Sequence, residues 1–531
     1  MRRHAEFKIL HFGILFICFS ATLHLEQLAI SGQSISRPHV VVILADDFGY
    51  GDAQCYNVDS KIPTPHLNRM AKNGLLFTDA HTPSSVCTPT RYGLLTGQYC
   101  WRTRLTEGVL DGFSPPLIPD GKMTIATLLK QKGYATACLG KWHLGMQWTR
   151  NDGSQESSDR GERGFRGGEA IDFRAKITGG PCAVGFDSYF GISASLDMPP
   201  YCWIENDRVH PIPDGTALDN KKDLFRTQTT GASHSDFKID EVLPTLKRRT
   251  LAKIDEHFNQ APTQPIFLYL PLNSPHLPVA PSPAFIGKSQ AGLYGDFVVE
   301  TDDFVGGVMD AFTKHNALEN TLIVFTSDNG GLWHQWKLQE ADDLQGYKPT
   351  PRALYTSGFG HHSNALLRGT KADIYEGGHR VPFLIHWPTA VPSERVIAEP
   401  VELTDLLATI ADVSDQTLPE SLDHDSYSFA DLLGIASRNT PRRKVLVHHS
   451  LSGDFAIRIG DWKLAENRGS GGFSSPKTVQ VKSGEAPGQL YNLKQDPYET
   501  DNLYLDNPEK VEAMTKRLNA IRSSRRLGDV K

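Results

Sequence analysis

Five short apolar runs recur along the chain and are separated by longer mixed segments. They lack the two-residue alternation of a half-exposed strand, and such runs are typical of strands buried on both faces of a parallel sheet. Helix-like stretches alternate with them, which predicts an α/β sandwich around a central, mostly parallel sheet. The apolar runs are residues 39–44, 134–139, 266–270, 321–325 and 381–386, and the helix-like stretches are 124–132, 240–259, 302–315 and 403–413.

The pattern changes in other parts of the chain. Residues 150–235 are rich in glycine, serine and aspartate, and residues 337–363 are similar; long loops of this kind are commonly lids or substrate-binding segments. After about residue 440, short β-like runs precede an amphipathic helix at 508–523. We therefore predict a large α/β domain over residues 37–435 and a small C-terminal α+β subdomain with an antiparallel sheet over residues 440–531.

The N-terminus has the order of a secretory signal peptide. Arg2, Arg3 and Lys8 precede an apolar run at residues 9–23, and small and polar residues follow it. This order predicts a signal peptide over residues 1–32, with an uncleaved signal anchor as the alternative. A stable membrane span is not expected, because a span needs about 20 apolar residues. The protein is expected to be exported and to be periplasmic, secreted or lumenal.

Composition and charge narrow the functional classes. The chain has 531 residues, is 39% hydrophobic and 22% charged, and carries a formal net charge of −6. A mildly acidic chain without a long basic run is not expected to bind nucleic acid. Of the seven cysteines, Cys18 lies in the predicted signal peptide, and no C-x-x-C pair indicates a zinc site. A bridge between Cys182 and Cys202 would close one loop, but the sequence does not determine the pairing.

Polar side chains follow four of the five apolar runs within a few residues. The carboxyl ends of parallel strands meet at one edge of a sheet, where ligands bind in open α/β folds, so we expect these side chains to share one site. They are Asp46, Asp47, Lys141, His143, His276, Asp328 and Asn329.

Four of these residues form a set of hard oxygen ligands. Asp46, Asp47, Asp328 and Asn329 supply three carboxylates and one amide, which suits Ca²⁺ or Mg²⁺ better than zinc. Each pair alone is also compatible with a helix cap or a turn. Like charges brought together at a buried edge favour a cation.

Lys141 and His143 flank Trp142 in the sequence. In an extended stretch their side chains would point to the same side. A cation and an imidazole facing one cleft suit anion binding and proton transfer. The alternative is a surface lysine beside a core histidine.

Cys87 lies in the stretch SSVCTPTR. Pro89 predicts a helix start, which places Cys87 at a helix N-terminus, where backbone N–H groups favour anions. Arg91 would lie one turn further along the same face. From this stretch alone, the thiol is compatible with a packed structural role, half of a disulfide or a nucleophile.

From about residue 37 onward, these motifs resemble those of the formylglycine-dependent sulfatases. In that family a Cys-x-Pro-x-Arg element directs oxidation of the cysteine to formylglycine, and here this element is residues 87–91. Gln98 departs from the family, in which many members have arginine, but it lies outside the core element. Further motifs are ADDFGYGD, GYATACLGKWHLG, SPH, SDNGG, LRGTKADIYEGGHRVPF and GDWKL…LYNLKQDPYETDNL.

The resemblance implies an alkaline-phosphatase-like α/β core over residues 37–435, with catalysis there, plus the small C-terminal subdomain. It implies that Asp46, Asp47, Asp328 and Asn329 bind one divalent cation, usually Ca²⁺, and that the modified Cys87 completes the metal shell. In such enzymes the hydrated aldehyde is a geminal diol, one hydroxyl of which attacks the sulfate sulfur. A formylglycine-generating enzyme would then be a partner during maturation.

The resemblance also implies roles for the cations and histidines. Arg91 supports the diol, and Lys141 and Lys371 neutralise the sulfate oxygens, on which transition-state charge is spread. His276, with Lys371 as a second candidate, protonates the leaving alcohol. His143 removes the proton whose loss expels sulfate and restores the aldehyde.

Sulfate ester hydrolysis is therefore the leading hypothesis. A phosphodiester or phosphonate monoester hydrolase on the same core is the nearest alternative. A non-catalytic, Ca²⁺-dependent glycan-binding protein with an unmodified Cys87 is the other, although the full complement of motif residues argues against it.

A sulfated carbohydrate is the expected substrate class, because the chain is expected to be exported and its loops carry aromatic and cationic side chains. These side chains suit sugar rings and their anionic groups, with a solvated loop surface as the alternative for each of them. The candidates are Trp101, Arg102, Arg104, His210, His361 and His362.

Overall fold

A ten-stranded sheet lies at the centre of the structure. The computed structural model describes residues 37–155, 167–219, 228–332, 359–391, 393–437 and 442–530. The predicted signal peptide and most of the predicted loop at 337–363 fall outside the described residues.

The strands and helices are numbered in chain order. The strands are β1 (His39–Ala45), β2 (Leu75–Phe77), β3 (Ala80–His81), β4 (Ala135–Lys141), β5 (Ser188–Ile192), β6 (Ile204–Glu205), β7 (Arg208–Val209), β8 (Gly215–Ala217), β9 (Gly231–Ser233), β10 (Ile266–Pro271), β11 (Thr321–Ser327), β12 (Phe383–His386), β13 (Arg395–Ile397), β14 (Val401–Glu402), β15 (Val445–His449), β16 (Phe455–Ile459), β17 (Trp462–Ala465) and β18 (Gln489–Asn492). The α-helices are α1 (Pro65–Lys72), α2 (Cys87–Thr96), α3 (Ile125–Gln131), α4 (Val242–Gln260), α5 (Gly292–Lys314), α6 (Glu376–His379), α7 (Leu406–Val413) and α8 (Pro508–Ser523).

The central sheet has the order β13-β2-β12-β11-β1-β10-β4-β5-β6-β7. Its middle five strands, from β11 to β5, are all parallel. The fold class predicted from the apolar runs is thereby confirmed. The run at 381–386 does form a strand, β12, but that strand is antiparallel to β11.

Alternate side chains of β1 separate the two cores. Val40, Val42 and Leu44 belong to the core that contains α2, α3 and α7. Val41 and Ile43 face the other core, which contains α1, α4 and α5. The sheet is therefore the middle of three layers and is buried on both faces, which explains why its strands read as uninterrupted apolar runs.

Helix α5 begins ten residues before the predicted start at 302. Gly292 and Gly295 weaken the helix pattern at that end, since glycine is a poor helix former. Tyr294, Phe297 and Val298 are nevertheless buried against the sheet. Tertiary packing therefore overrides local propensity in this segment.

The C-terminal part contains a separate antiparallel sheet of four strands, β15-β16-β17-β18. Helix α8 has the predicted bounds and packs on this sheet through Val511, Met514, Leu518 and Ile521. The chain from Arg37 onward forms one compact unit, so the predicted division near residue 440 stays a prediction.

The cysteines of the described residues are free thiols, and these include Cys182 and Cys202. The bridge that the sequence allowed between those two is therefore not formed. Among the helices that the structure describes, none combines the length and the apolarity needed to span a membrane.

Candidate active site

The predicted site residues meet at the carboxyl edge of the parallel strands. Asp46 directly follows β1, Lys141 ends β4, and Asp328 directly follows β11. His276 lies in the loop after β10, and Lys371 comes from the segment before α6. Burial leaves each of these side chains at most a few per cent exposed.

Asp47 is held in an uncommon backbone conformation, with φ of 65°. The Tyr294 hydroxyl donates to its carbonyl oxygen at 3.0 Å. Its Oδ1 accepts from Asn329 Nδ2 at 2.7 Å and lies 2.7 Å from Lys371 Nζ. This conformation turns the second aspartate of the pair towards the site shared with the other strands.

Arg91 joins two of the carboxylates. Its Nε and Nη2 donate to Asp328 Oδ2 at 2.9 and 2.7 Å, and its Nη2 lies 3.3 Å from Asp46 Oδ2. Its Nη1 donates to the carbonyl of Lys141 at 3.0 Å. The guanidinium is fully buried, so it fixes the relative positions of β1, β4 and β11 at this edge.

We name Asp46, Asp47, Asp328 and Asn329 the acidic cluster. Three of its oxygens have no hydrogen-bond partner among the described residues: Asp46 Oδ1, Asp47 Oδ2 and Asn329 Oδ1. Potential ligand atoms of Asp46, Asp47, Cys87 and His276 all lie within 4.8 Å of one another. A buried polar atom without a partner is unfavourable unless an ion or water satisfies it. The site therefore has the donor set and the unsatisfied oxygens of a cluster that can bind a metal ion.

The carboxylates also repel one another. Burial and the charge of Asp46 raise the pKa of Asp328 to about 6. Burial would raise the pKa of Asp46 as well, but Lys141, His276 and Arg91 outweigh it and hold that pKa well below its usual value. A cation bound between these carboxylates would relieve the repulsion.

Cys87 is the first residue of α2, as the sequence predicts, and it follows Val86 in an extended conformation. Its side chain is 2% exposed. The thiol is a free cysteine at the positive end of a helix, and that position favours an anion. The position of Cys87 is therefore compatible both with a packed structural thiol and with a precursor of the nucleophile, two of the roles that the sequence left open.

Two cations and a histidine surround the acidic cluster. Lys141 Nζ lies 2.5 Å from Asp46 Oδ2, and His276 Nε2 lies 3.7 Å from Asp47 Oδ2. Burial and Lys371 lower the pKa of His276, but Asp47 and Asp46 outweigh them and raise it to about 9. His276 is therefore suited to carry a proton at neutral pH.

His143 differs from the extended geometry that its spacing from Lys141 predicts. Its φ is 56°, and the charges of Lys141, Arg91 and Asp46 act on the pKa of its ring. Nε2 lies 2.7 Å from the Leu110 carbonyl, which can only accept, so Nε2 carries the proton. Nδ1 is buried without a partner among the described residues. Burial and Lys141 hold the pKa of His143 well below its usual value, which leaves a proton acceptor at Nδ1.

Two of the predicted substrate residues lie in a packed interface. Trp101 is 9% exposed and belongs to the core of the C-terminal sheet, where it stacks on Tyr99. Arg102 donates to both oxygens of Asp425 at 2.9 and 3.0 Å. These two side chains join the chain after α2 to its packing partners. An aromatic ring and a bidentate ion pair suit such a junction as well as they suit a sugar, so the residue types alone did not separate the two roles.

The other predicted substrate residues have mixed surroundings. Arg104 donates to two proline carbonyls at 2.7 Å. His361 is buried and lies 2.8 Å from Asp52 Oδ1, whereas His210 and His362 are exposed. None of the six is brought to the acidic cluster by a contact that the structure describes.

A fifth strand, which the sequence pattern did not indicate, also ends at this edge of the sheet. Strand β5 is parallel to β4 and is followed by Ser193 and Ser195, whose buried hydroxyls have no partner among the described residues. The buried amide of Asn273, just after β10, is also without one there. The signal was weak because the run SYFGI of β5 contains serine and glycine.

Comparisons with known proteins agree with this geometry. Residues 38–415 match the family model described as Sulfatase. The N-acetylgalactosamine-6-O-sulfatase of Bacteroides thetaiotaomicron is 30% identical over 526 residues, which cover 93% of this chain and 94% of that protein. Human arylsulfatase A is 31% identical over 488 residues, which cover 89% of this chain and 85% of that protein.

Solved structures are similar as well. One comes from work on glycosaminoglycan metabolism by Bacteroides thetaiotaomicron; it has a TM-score of 0.76 and 28% identity and covers 92% of this chain and 100% of its own. Another, a complex with a neocarrahexaose, has a TM-score of 0.63 and 23% identity and covers 91% and 92%. At that identity the second supports the fold alone.

Proposed function

This chain belongs to the sulfatase family, whose members hydrolyse sulfuric esters, and we propose that it acts on a sulfated carbohydrate with a calcium ion and a formylglycine made from Cys87. One observation carries the proposal. Three unsatisfied oxygens lie beside a cysteine at a helix N-terminus, and two lysines and two histidines surround them.

The residues present fit a calcium ion. Asp46, Asp47, Asp328 and Asn329 offer carboxylate and amide oxygens, the ligands that Ca²⁺ prefers. The oxygens without partners supply at least part of the shell. When bound, the ion would act as a Lewis acid on the sulfate oxygens and favour an ionised nucleophile.

The position of Cys87 fits formylglycine. Pro89 and Arg91 complete the element on which a formylglycine-generating enzyme would act before folding. In the folded chain, Arg91 lies one turn from position 87 and contacts two carboxylates of the proposed metal site. When formed, the modified residue would supply a hydroxyl nucleophile towards the sulfate sulfur, a role for which a thiol is not suited.

Lys141 and Lys371 would hold the sulfate group. Each ammonium now lies against a carboxylate of the metal site, at 2.5 and 2.7 Å. Burial lowers the pKa of Lys371, but Asp47 and Cys87 outweigh it and raise the pKa above its usual value. Lys371 would therefore stay charged, and fixed charges at these positions stabilise negative charge that spreads over sulfate oxygens.

The two histidines have opposite proton roles. His276 Nδ1 lies 2.6 Å from the Leu277 carbonyl and therefore donates to it, while Nε2 faces Asp47. In the charged form Nε2 holds the proton for the leaving alcohol. His143 accepts a proton at Nδ1 during release of sulfate, because the Leu110 carbonyl keeps Nε2 protonated.

The substrate class rests on the relatives. The bacterial relative that aligns over nearly its whole length is named for a 6-O-sulfated N-acetylgalactosamine. We propose a 6-O-sulfated amino sugar of a glycosaminoglycan as the substrate of this chain too. The predicted signal peptide supports export to a compartment where such polymers are degraded.

Two measurements test the proposal. Mass spectrometry of the peptide around position 87, from protein made with a formylglycine-generating enzyme, is expected to show formylglycine. Sulfate release is then followed on 6-O-sulfated, 4-O-sulfated and desulfated oligosaccharides, with an aryl phosphodiester as the control for the nearest alternative chemistry. Cys87→Ala should abolish turnover. An unmodified Cys87 in active protein, or faster turnover of the phosphodiester than of every sulfate ester, would contradict it.

A further inference from the structure

Lys371 is carried by a turn, whereas the other proposed sulfate ligand, Lys141, ends a strand of the sheet. The turn closes with a hydrogen bond from Asp373 N to the Thr370 carbonyl at 3.0 Å. Ala372, inside it, has a φ of 78°, a conformation that is unfavourable for residues other than glycine. Contacts from outside the turn must therefore hold it in this shape.

The carboxylate of Asp373 provides such contacts. It is fully buried and accepts only from uncharged donors in the hydrogen bonds that the structure describes. Oδ2 accepts from Thr370 N at 2.9 Å and from the Ser474 hydroxyl. Oδ1 accepts from Phe473 N at 2.8 Å and from Ser474 N at 3.0 Å. The side chain of Asp373 thus joins Thr370, the residue before Lys371, to Phe473 and Ser474. Ser474 is 101 positions from Asp373 in the sequence.

The backbone of Ala372 is held from two directions. Its N–H donates to the Ser85 carbonyl at 2.8 Å, two residues before Cys87. Its carbonyl accepts from Leu451 N at 3.0 Å. Gly472 packs directly on it, so that a Cβ at position 472 would lie 2.3 Å from the carbonyl carbon of Ala372. The turn is therefore clamped between the Cys87 segment and the C-terminal sheet's loops.

We propose that Asp373 is a positioning residue for Lys371, and that through it the loop at residues 470–474 sets the lysine ammonium in the sulfate site. This inference rests on the proposed role of Lys371 in binding sulfate. It gives the C-terminal part a function in turnover, although this part supplies none of the proposed catalytic groups.

Asp373→Asn tests the inference with little change in shape. An asparagine can keep the two bonds to Phe473 N and Ser474 N, but it turns an N–H group towards Thr370 N–H. We expect kcat/KM to fall by up to about a hundredfold, the loss that a displacement of about 1 Å can cause. The inhibition constant of inorganic sulfate should rise with it. Asp302→Asn is the matched control, because Asp302 is also buried and also accepts from two backbone N–H groups, at 3.1 and 2.8 Å.

A second pair of variants keeps Asp373 intact. Gly472→Ala should lower kcat/KM and raise the sulfate inhibition constant in the same direction, because its methyl group would displace Ala372. Gly528→Ala, where a Cβ would meet nothing within 4 Å, is the matched control. This pair also decides the question if Asp373→Asn does not fold.

Lys371→Ala separates this inference from the proposed function. If that variant keeps wild-type turnover and sulfate inhibition, the role of Lys371 itself is wrong. If Lys371→Ala loses both but Asp373→Asn and Gly472→Ala lose no more than their controls, only the positioning role is overturned. The positioning role is supported if Asp373→Asn and Gly472→Ala both lose kcat/KM and sulfate binding while Asp302→Asn and Gly528→Ala keep wild-type values. All variants are compared at a temperature at which they are folded.

Discussion

Within the part of the chain that the structure describes, two buried clusters contain side chains of the types that can bind a metal ion, and they differ in how their polar atoms are satisfied. One lies in the active site, where Asp46 and Asp47 of the acidic cluster meet Cys87 and His276; the other, which we name the histidine cluster, contains His81, Glu376 and His379. In both, the potential ligand atoms lie within 4.8 Å of one another. Residue type and spacing alone would call both of them metal sites.

The histidine cluster already contains a cation. Lys463 Nζ lies 3.1 Å from Glu376 Oε1, 2.8 Å from Glu499 Oε1 and 3.0 Å from His379 Nε2. Lysine can only donate, so His379 Nε2 accepts and its Nδ1 donates to His81 Nδ1 at 3.0 Å. His81 Nε2 then donates to Asp79 Oδ1 at 2.8 Å. Both histidines are neutral in this chain of hydrogen bonds.

The number of charges does not distinguish the two clusters. Around the histidine cluster, the carboxylates of Asp79, Glu376 and Glu499 are matched by Arg380, Arg458 and Lys463. Three cations, Arg91, Lys141 and Lys371, likewise pair with the three carboxylates of the active site.

The partners of the potential ligand atoms differ instead. All four ring nitrogens of His81 and His379 have partners, and the two carboxylate oxygens there without a hydrogen bond, Glu376 Oε2 and Glu499 Oε1, lie 3.6 and 2.8 Å from Arg380 and Lys463. The acidic cluster retains three oxygens without a hydrogen bond among the described residues, and these remain available to a metal ion.

Removing one unsatisfied oxygen should have the largest effect. Asp46→Asn keeps the shape of the side chain but removes a charged ligand, and a catalytic metal contributes several kcal/mol to transition-state stabilisation. We expect kcat/KM for a sulfate ester to fall by about a thousandfold or more, and calcium to stop raising the Tm. A variant that keeps calcium-dependent turnover would show that the metal lies elsewhere. Lys463→Met, in the other cluster, is the control and should keep the calcium response.

Lys463→Met itself should destabilise the protein strongly. It leaves Glu376 and Glu499 buried beside each other without their shared cation, a change that lowers the free energy of unfolding by about 3 kcal/mol or more. Urea denaturation at saturating calcium measures this loss. An unchanged stability would mean that the arginines alone balance the cluster, and the contrast between the clusters would disappear.

Chelation should act on the acidic cluster alone. If calcium binds the folded chain only, its removal lowers the free energy of unfolding by about 2.7 kcal/mol relative to calcium at 100 times its Kd. Thermal denaturation with and without a chelator should show this difference in the wild type and not in Asp46→Asn. A shift that survives in Asp46→Asn, but not in a variant of the histidine cluster, would reverse the assignment.

The smallest expected effect is on the pH dependence of stability. Burial and Lys463 hold the pKa of His448, whose ring lies against His379, well below its usual value of 6.5. The unfolded chain therefore binds a proton that the folded chain does not, and the stability contributed by neutral His448 is lost as pH falls below about 6.5. We compare the wild type with His448→Phe at saturating calcium. As pH falls below 6.5, the free energy of unfolding of the variant should decrease less steeply than that of the wild type, by up to about 1.4 kcal/mol per pH unit. Equal slopes would contradict a neutral His448.

Much of the fold could be predicted because local patterns reflect local burial. Four of the five middle strands, β1, β4, β10 and β11, were predicted to within two residues of their ends, and α8 was predicted with the observed bounds. The direction of β12 could not be predicted, because an apolar run has no signal for parallel or antiparallel pairing. The early start of α5 depends on packing against the sheet.

The candidate site was predictable in its composition and less so in its geometry. The polar residues after β1, β4, β10 and β11 indicated one shared edge, since parallel strands place their carboxyl ends together. The positive φ of His143 and the burial of Trp101 in another core were not visible in the sequence. Neither was Asp373, which a reader of the sequence would take for an ordinary turn residue.

By itself, the sequence determined which chemical groups the sheet edge presents and the family whose motifs they form, because these depend on residue type and short spacing. Only the tertiary structure decided which of those groups have partners. Lys463 and Glu376 are 87 positions apart, and Arg91 and Asp328 are 237 apart. Hydrogen bonds are set by such distant neighbours, and they separate the cluster that keeps oxygens available to a metal ion from the one whose histidine nitrogens already have partners.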